Sequence, residues 1–216
     1  MALSKIDVAN MLTGEVPNAN VATIGVAKGG TGLTSGTSGQ FLKFTGSTTL
    51  ASSADNSGLE EYDIWVVTSS FNNVPGHINS NWSRFSDTGF EKIGTGMTNS
   101  GYSFIFPSTG KYIVDFHVCY YVSNTNENRY FEADIEYTND DWSNGHRLGE
   151  QYTNVTGGIS NTYASCVSTA LVDITNTTND KVRFRVGSDN DSTWAYVYGT
   201  SGTLTTGATF RKIGAT

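Results

Sequence analysis

The sequence is poor in charge and proline, and it contains no long apolar run. Only 15% of its 216 residues are charged, and three are proline. No stretch approaches the roughly 18–20 apolar residues that a membrane helix needs. The first residues have neither a basic leader nor the apolar core of a signal peptide. We therefore expect a chain that inserts into no membrane and is not secreted.

Positive charge is scarce as well. The formal net charge is -7, and no cluster of lysine and arginine interrupts the negative field. Such a field repels phosphate backbones. Nucleic acid is therefore not an expected partner.

Cysteine is limited to Cys119 and Cys166, which are too few to define a disulfide framework. Each lies in a strand-like segment, where free cysteine behaves as a small buried hydrophobe. We predict two reduced thiols, and a bridge between them is the alternative.

Glycine and aromatic residues are abundant instead. The chain has 24 glycines, 11 tyrosines and 11 phenylalanines, and this composition favours strands and turns over helices. One short helix is predicted at residues 5–13, where Ser4 and Asp7 form a capping-box-like start and Gly14 a stop.

The patterning divides the chain into three segments. Residues 1–15 form an N-terminal attachment segment that includes the short helix. Residues 16–59 are rich in glycine, serine and threonine, and they are either a flexible linker or an extended stalk whose apolar residues meet across several chains. From residue 60 onward, apolar alternation predicts a β domain at residues 60–216.

Residues 111–122 alternate most clearly, which predicts a strand with one buried face. About eight to ten strands in one domain are typical of a β-sandwich or jelly roll. The buried face of this strand consists of Tyr112, Val114, Phe116, Val118, Tyr120 and Val122. The other predicted strands are 63–67, 102–106, 129–137, 165–174, 181–186, 194–198 and 203–213.

Two of these strands carry rows of opposite charge. We expect the acidic row to be a solvated or inter-subunit face that pairs with Arg183 and Arg185. Two carboxylates on one strand face also suit glycoside cleavage, so a polysaccharide-cleaving enzyme is an alternative. The acidic row is Glu132, Asp134 and Glu136, and the basic row is Lys181, Arg183 and Arg185.

Residues 26–44, VAKGGTGLTSGTSGQFLKF, resemble the GGTG-containing stretches of bacteriophage tail-fibre proteins. A glycine-rich turn, here at residues 29–32, is followed by a short Gly-Gln-hydrophobic strand, here at residues 39–42. In those fibres such stretches lie in intertwined trimeric shafts or beside a distal head. The resemblance implies a stalk rather than a linker.

Residues 90–121 resemble the globular head of the complement and tumour-necrosis-factor superfamily, and the likeness extends over residues 63–214. It implies a ten-strand jelly roll that trimerises about a threefold axis, where aromatic and apolar side chains of one sheet meet. The collagen-like repeat that normally precedes complement-type heads is absent. The matching residues are Phe104, Phe106, Pro107, Gly110, Tyr112, Val114 and Phe116.

The number of aromatic residues agrees with the implied homotrimer, because one small core cannot easily enclose them all. On this hypothesis Tyr112, Phe116 and Tyr120 contribute to the trimer interface. The N-terminal segment is expected to bind other virion proteins, and the head a host cell-surface glycan or protein.

Aromatic residues in predicted loops are the candidates for ligand binding. A ring beside Asn and Asp side chains can stack on a sugar while these side chains hydrogen-bond its hydroxyls. The alternative for residues 194–198 is that their rings line the core or a threefold axis. The candidates are Trp142, Asn144, Trp194, Tyr196 and Tyr198.

No arrangement of residues predicts catalysis, a cofactor or a metal centre. His77, His117 and His146 lack the spacing of a catalytic base or of zinc ligands. We interpret the aspartates at 140–141 and 189–191 as turn residues in preference to calcium ligands.

The sequence thus leads to the hypothesis of a bacteriophage virion fibre protein, assembled in the host cytoplasm, with a trimeric jelly-roll head that attaches to the host surface. A structural tail or capsid knob without receptor binding is the first alternative, and a fibre enzyme the second. We expect no enzymatic activity.

Overall fold

The structure is a computed structural model that describes residues 40–44, 50–53, 58–72, 76–189 and 193–216. The chain divides into two compact units, Met1–Gly58 and Leu59–Thr216. The predicted helix at 5–13 and the glycine-rich turn at 29–32 lie outside the described residues. No helix in the described ranges is long and apolar enough to cross a membrane.

The described part of the first unit is an antiparallel hairpin of β1 (Phe41–Phe44) and β2 (Leu50–Ser53). All four side chains of β1 are exposed, including the two phenylalanines. A single two-stranded hairpin is marginally stable in water. Its large apolar side chains therefore lack cover from the described part of the same chain.

The described part of the second unit consists of strands, turns and bends without a helix, which confirms the prediction of an all-β domain. Most strands are bounded by glycine, asparagine, aspartate or serine, the residues that form tight turns. The strands are β3 (Tyr62–Val67), β4 (Ser69–Phe71), β5 (Gly76–His77), β6 (Trp82–Arg84), β7 (Thr98–Ser100), β8 (Ser103–Ile105), β9 (Gly110–Val122), β10 (Asn128–Thr138), β11 (His146–Val155), β12 (Thr162–Ile174), β13 (Lys181–Ser188), β14 (Ala195–Thr200) and β15 (Gly207–Gly214).

These strands form two antiparallel sheets. The first has the order β11-β10-β13-β8-β7, and β5 also pairs with β13. The second has the order β4-β14-β9-β15-β3-β6. In the second sheet, β12 pairs with β9 along its whole length, and β14 and β15 pair with different parts of β9. The long strand β9 is thus the centre of the second sheet.

The core lies between the two sheets, and β9 contributes one complete face to it. All six residues predicted for the buried face of this strand are at most 1% exposed, so that prediction is confirmed. Phe116 stacks on Phe184 of the other sheet with ring centres 4.6 Å apart, and Tyr120 stacks on Phe131 at 4.3 Å. Each such buried ring stabilises the fold by roughly 1.5–3 kcal/mol.

The assignment of Tyr112, Phe116 and Tyr120 to a trimer interface is wrong. All three are 0% exposed inside the sandwich, and the Tyr112 hydroxyl donates to the Ser108 carbonyl at 3.0 Å. Alternation correctly separated two faces of β9. It was the other face, with Ile113 and Tyr121, that the fold turns outward.

The two cysteines are free and half-buried. In the register of β9 and β12, Cys119 lies opposite Ser165 and Cys166 lies opposite Val118. Neighbouring positions in a strand point to opposite faces of the sheet. The two thiols therefore lie on different faces, as expected for unbridged cysteines.

Candidate functional site

The outward surface of the first sheet, which we call the charged face, carries ionised side chains on β10, β11 and β13. Pairing of β10 with β13 places Asp134 opposite Arg185 and Glu136 opposite Arg183. Because strand partners lie side by side, each carboxylate meets a guanidinium. The charged face consists of Glu132, Asp134, Glu136, Arg147, Arg183 and Arg185.

Arginines bind the acidic row closely. Arg185 Nη1 donates to Glu132 Oε2 at 2.9 Å and to Asp134 Oδ2 at 2.8 Å, and Arg183 Nε donates to Glu136 Oε2 at 2.7 Å. The predicted pairing with both arginines is confirmed. The expectation of a solvated row is wrong, since Asp134 is 0% exposed and Glu132 is buried.

Asp134 and Glu136 lie two residues apart on this face, yet their pKa values move in opposite directions. Burial raises the pKa of Asp134 to about 6, and the charge of Glu132 adds to the rise while Arg185 opposes it. Burial also acts on Glu136, but hydrogen bonds from Arg183 and His77 outweigh it and lower the pKa. The negative charge of Asp134 is thus less fully offset by its neighbours than that of Glu136. The Oδ1 atom of Asp134 has no hydrogen-bond partner among the described residues.

Three carboxylates of this region, those of Glu132, Asp134 and Glu150, have oxygens within 4.8 Å of one another. Arg147 contacts all three: Nη1 donates to Glu132 at 2.9 Å and to Glu150, and Nη2 lies 3.4 Å from Asp134. A guanidinium thus supplies positive charge to these three carboxylates. The arrangement can act as an ion-pair network that fixes β11 to β10.

The outward surface of the second sheet, which we call the apolar face, has a different composition. It includes the outward side chains of β9, β12 and β14, which alternate with core residues along each strand. Leu171 is 61% exposed, and Tyr163 is 55% exposed. The apolar face consists of Ile113, Tyr121, Tyr163, Val167, Leu171, Tyr196 and Tyr198.

Four tyrosines cluster at one end of the apolar face. Tyr121 stacks on Tyr196 with ring centres 4.8 Å apart, and its ring centre lies 5.5 Å from that of Tyr163. Tyr198 meets Tyr163 edge-on at 5.7 Å. Burial raises the pKa of Tyr121, and its neighbours Tyr196, Tyr163 and Tyr198 add to the rise. The cluster is a preformed aromatic surface.

Polar side chains occupy the middle of the second sheet's outward surface. Asp115 accepts hydrogen bonds from the hydroxyls of Thr169 at 2.7 Å and Thr209 at 3.2 Å, and from Arg211 Nη2 at 2.5 Å. His117 lies on the same surface, opposite Val167 of β12 and Gly207 of β15. Asp115 is therefore satisfied within one chain, while the aliphatic side chains around it are not covered.

The candidates Trp142 and Asn144 lie in the turn between β10 and β11. Trp142 Nε1 donates to Ser103 Oγ at 2.8 Å, and the guanidinium carbon of Arg183 lies 3.9 Å from its ring centre. The Asn144 amide group donates to Asp140 at 2.6 Å, and its backbone N–H does so at 2.9 Å. Asp140 is thus engaged within the turn, in agreement with the interpretation of this aspartate as a turn residue.

The structure does not bring the five predicted ligand-binding residues together. Trp142 and Asn144 lie beside the first sheet, whereas Tyr196 and Tyr198 belong to the apolar face of the second. Trp194 is partly buried and packs against the core. Sequence reasoning missed Tyr121 and Tyr163, although their positions between buried residues of alternating strands could have identified them as outward-facing.

Neither the protein-family models nor the curated proteins match this sequence. Solved structures do match. Eiger TNF from S. frugiperda has a TM-score of 0.50 at 13% identity, covering 74% of this chain and 96% of that chain. Murine APRIL at pH 5.0 has a TM-score of 0.49 at 14% identity, covering 70% of this chain and 98% of that one.

The match to Eiger TNF defines the class of fold. The second unit is a jelly-roll β-sandwich like that of tumour necrosis factor. The expected resemblance to this fold is confirmed. At 13% identity the likeness extends to the fold alone.

Proposed function

We propose that the chain forms a homotrimer through the apolar face, and that the trimer is the non-enzymatic head of a bacteriophage fibre used in host attachment. The observation that carries the proposal is the contrast between the two outward surfaces. The charged face is covered by its own long arginine side chains, whereas Leu171 and Tyr163 stay more than half exposed in a single chain. Large exposed apolar patches mark interaction sites.

A second and a third copy of this chain are the occupants that the geometry favours. Asp115 is hydrogen-bonded within its own chain, so this carboxylate would keep its partners if the middle of the surface were covered. The aliphatic and aromatic residues around it gain from burial at about 25 cal/mol per Å². The tumour-necrosis-factor-like fold agrees with such an assembly, in which one sheet of each copy faces a shared axis.

The role in a fibre is supported by the first unit. The sequence there resembles phage tail-fibre stretches, and the hairpin β1–β2 exposes Phe41, Leu42 and Phe44. Because a lone hairpin has no core, these side chains gain cover when several chains run together. The stalk and the head thus both favour association of identical chains.

An enzymatic role for the acidic row receives little support from the geometry. Glu132 and Asp134 are bound to Arg185, and Asp134 is closed to solvent. A glycosidase needs one carboxyl group that reaches the leaving oxygen and a second that reaches the sugar carbon or a water. We therefore propose a binding and structural protein.

Sedimentation equilibrium of the full chain tests the trimer. We expect a single species of three times the chain mass at micromolar concentration. A stable monomer across the concentration range would refute the homotrimer.

Immunoelectron microscopy of phage particles tests the fibre. Antibodies against the chain are expected to label the tips of fibres, and pre-incubation with them is expected to reduce adsorption to host cells. Labelling of a capsid or tail knob with unchanged adsorption would instead establish a structural decoration. Unlabelled particles would exclude a virion role.

A further inference from the structure

A cleft lies where the chain crosses from one sheet of the sandwich to the other. One wall is the end of β4, which pairs with β14 of the second sheet, and the opposite wall is β5, which pairs with β13 of the first. Its volume is about 320 Å³. Residues 73–75, which connect the two strands, lie outside the described residues. The lining residues are Phe71, Asn72, Gly76, His77, Ile78, Asn79 and Ser80.

The cleft combines an apolar base with a polar rim. Ile78 is buried, and Phe71 is half-buried and packs against the core. Two hydrogen bonds to the Ile78 backbone hold the base in place: the Ile78 N–H donates to the Phe184 carbonyl at 3.0 Å, and the Trp82 side chain donates through Nε1 to the Ile78 carbonyl at 3.1 Å. A binding surface on such a base is preorganised.

The polar groups of the rim are free to bind a ligand. Among the described residues, the side chains of Asn72, Asn79 and Ser80 have no hydrogen-bond partner in this structure, and Asn79 and Ser80 are exposed. His77 Nε2 lies 3.0 Å from a Glu136 oxygen. A carboxylate can only accept there, so Nε2 carries the proton of this hydrogen bond and Nδ1 is left for a ligand.

We propose that this cleft binds one hexose unit of a neutral glycan. An aromatic ring that contacts a sugar face, together with amide and hydroxyl groups that bind its hydroxyls, is the chemistry that a hexose requires. A volume near 320 Å³ is at the lower end of ligand pockets, which fits one sugar ring better than a folded peptide segment.

The charge around the cleft selects against acidic sugars. The described lining contains no lysine or arginine, the Glu136 carboxylate contacts His77 at the rim and also binds Arg183, and the chain as a whole carries a net charge of -7. A sugar carboxylate would meet this field without a free cation on the cleft's described lining. The inference names the ligand class of the proposed host attachment and rests on that function.

Saturation-transfer-difference NMR on the full-length assembly tests the cleft. The probes are the methyl glycosides of glucose, galactose, mannose, N-acetylglucosamine and rhamnose, with methyl glucuronide as the acidic comparator. We expect saturation transfer to at least one neutral glycoside and a weaker signal for the glucuronide. Asn79→Ala should weaken binding by about 2–10-fold, the effect of one lost hydrogen bond.

Asn144→Ala is the matched control, because both asparagines are exposed and only Asn79 lines the cleft. It should leave saturation transfer unchanged. A loss with Asn144→Ala but not with Asn79→Ala would move the site to the β10–β11 turn and overturn the assignment. Saturation transfer to no neutral glycoside would overturn it as well. Either failure leaves sedimentation and particle labelling unaffected, so it is distinguishable from failure of the proposed fibre role.

Discussion

The charged face and the apolar face are outward surfaces of the same sandwich, but their side chains are covered to different extents within a single chain. On the charged face, Arg147 and Arg185 cover the carboxylates beneath them. On the apolar face, the side chains of Val167 and Leu171 project from an edge strand with nothing above them in a single chain. Within a single chain, the carboxylates of the first sheet are paired with arginines, whereas aliphatic side chains of the second sheet stay exposed.

The difference shows that strand alternation alone does not define a surface. Both β10 and β12 alternate, and both turn one row of side chains inward. In the outward row of β10, Glu132 and Asp134 are charged but buried. The outward row of β12 is exposed and mixes Tyr163, Val167 and Leu171 with polar residues. Side-chain length explains the first case, because a long guanidinium reaches over its neighbours while its ends stay solvated. The second case is the one that the proposed association of chains would explain.

The largest effect is expected from charge on the apolar face. Leu171→Asp removes burial of a leucine in each copy, about 1.5–3 kcal/mol, and forces three carboxylates towards a covered surface. We predict folded monomers in sedimentation experiments and an unchanged far-ultraviolet circular dichroism spectrum.

Leu148→Asp is the control for this variant, since Leu148 is an exposed leucine of β11 outside the apolar face. It should leave the assembly trimeric. Equal dissociation by both variants would remove the distinction between the two surfaces.

A smaller loss is expected when the charged face loses one of its arginines. Arg185→Ala removes one of the two guanidiniums that Glu132 and Asp134 share, and Arg147 remains as the other. The loss should therefore be below the roughly 3–5 kcal/mol that breaking a buried ion pair on one side typically costs. Urea unfolding should show this loss. Arg129→Ala removes an exposed arginine from the single carboxylate of Asp189, and we expect a smaller loss than for Arg185→Ala. Similar stability of both variants would show that the charged face is solvated.

The opposite pKa changes of Asp134 and Glu136 predict opposite pH effects. The pKa of folded Asp134 is raised from 3.8 to about 6, so the folded state binds this proton more tightly than the unfolded state. Its ionisation therefore lowers stability as pH rises between about 4 and 6. Asp134→Asn should become more stable relative to the parent over this window, by on the order of 2–3 kcal/mol.

Glu136→Gln should change the pH dependence of stability in the direction opposite to that of Asp134→Asn. The folded pKa of Glu136 is lowered, so its ionised form stabilises the fold at neutral pH and this stabilisation is lost on acidification. Thermal unfolding of both variants and the parent at matched concentration gives the comparison. If the stability of the two variants relative to the parent changed with pH in the same direction, the environments assigned to Asp134 and Glu136 would be contradicted.

The smallest effect is expected from a hydroxyl in the tyrosine cluster. The Tyr198 hydroxyl has no hydrogen-bond partner among the described residues, and its ring contacts Tyr121 and Tyr163. Tyr198→Phe should therefore leave trimer dissociation unchanged in sedimentation experiments at decreasing concentration. A marked weakening would show that this end of the apolar face relies on hydrogen bonding to a ligand or a neighbouring copy.

Much of the fold could be predicted from the sequence because the long strands alternate regularly. The core face of β9 and the pairing of the acidic row with Arg183 and Arg185 are examples. The burial of Asp134 could not be foreseen, because Arg147 lies on β11, an edge strand whose mostly exposed side chains show no clear period. The cleft could not be predicted either, because β4 and β5 are too short to show a periodic pattern in the sequence.

The wrong assignment of three β9 residues to a trimer interface has a related cause. Strand β9 has apolar side chains on two surfaces, one turned towards the other sheet and one turned outward. The sequence of β9 marks the first strongly with Tyr112, Phe116 and Tyr120, and the second only weakly with Ile113 and Tyr121. Deciding between them requires knowing which side of β9 the other sheet covers, and that depends on contacts distant in sequence.

Hydroxyl-radical footprinting of the native assembly compares the two faces most directly. Tyr163 on the apolar face and Tyr152 on β11 are almost equally exposed in a single chain, at 55% and 56%. If three copies cover the apolar face, Tyr163 and Leu171 will be oxidised much more slowly than Tyr152, and Leu171→Asp will restore the reactivity of Tyr163. Equal oxidation of Tyr163 and Tyr152 in the native protein would contradict this account.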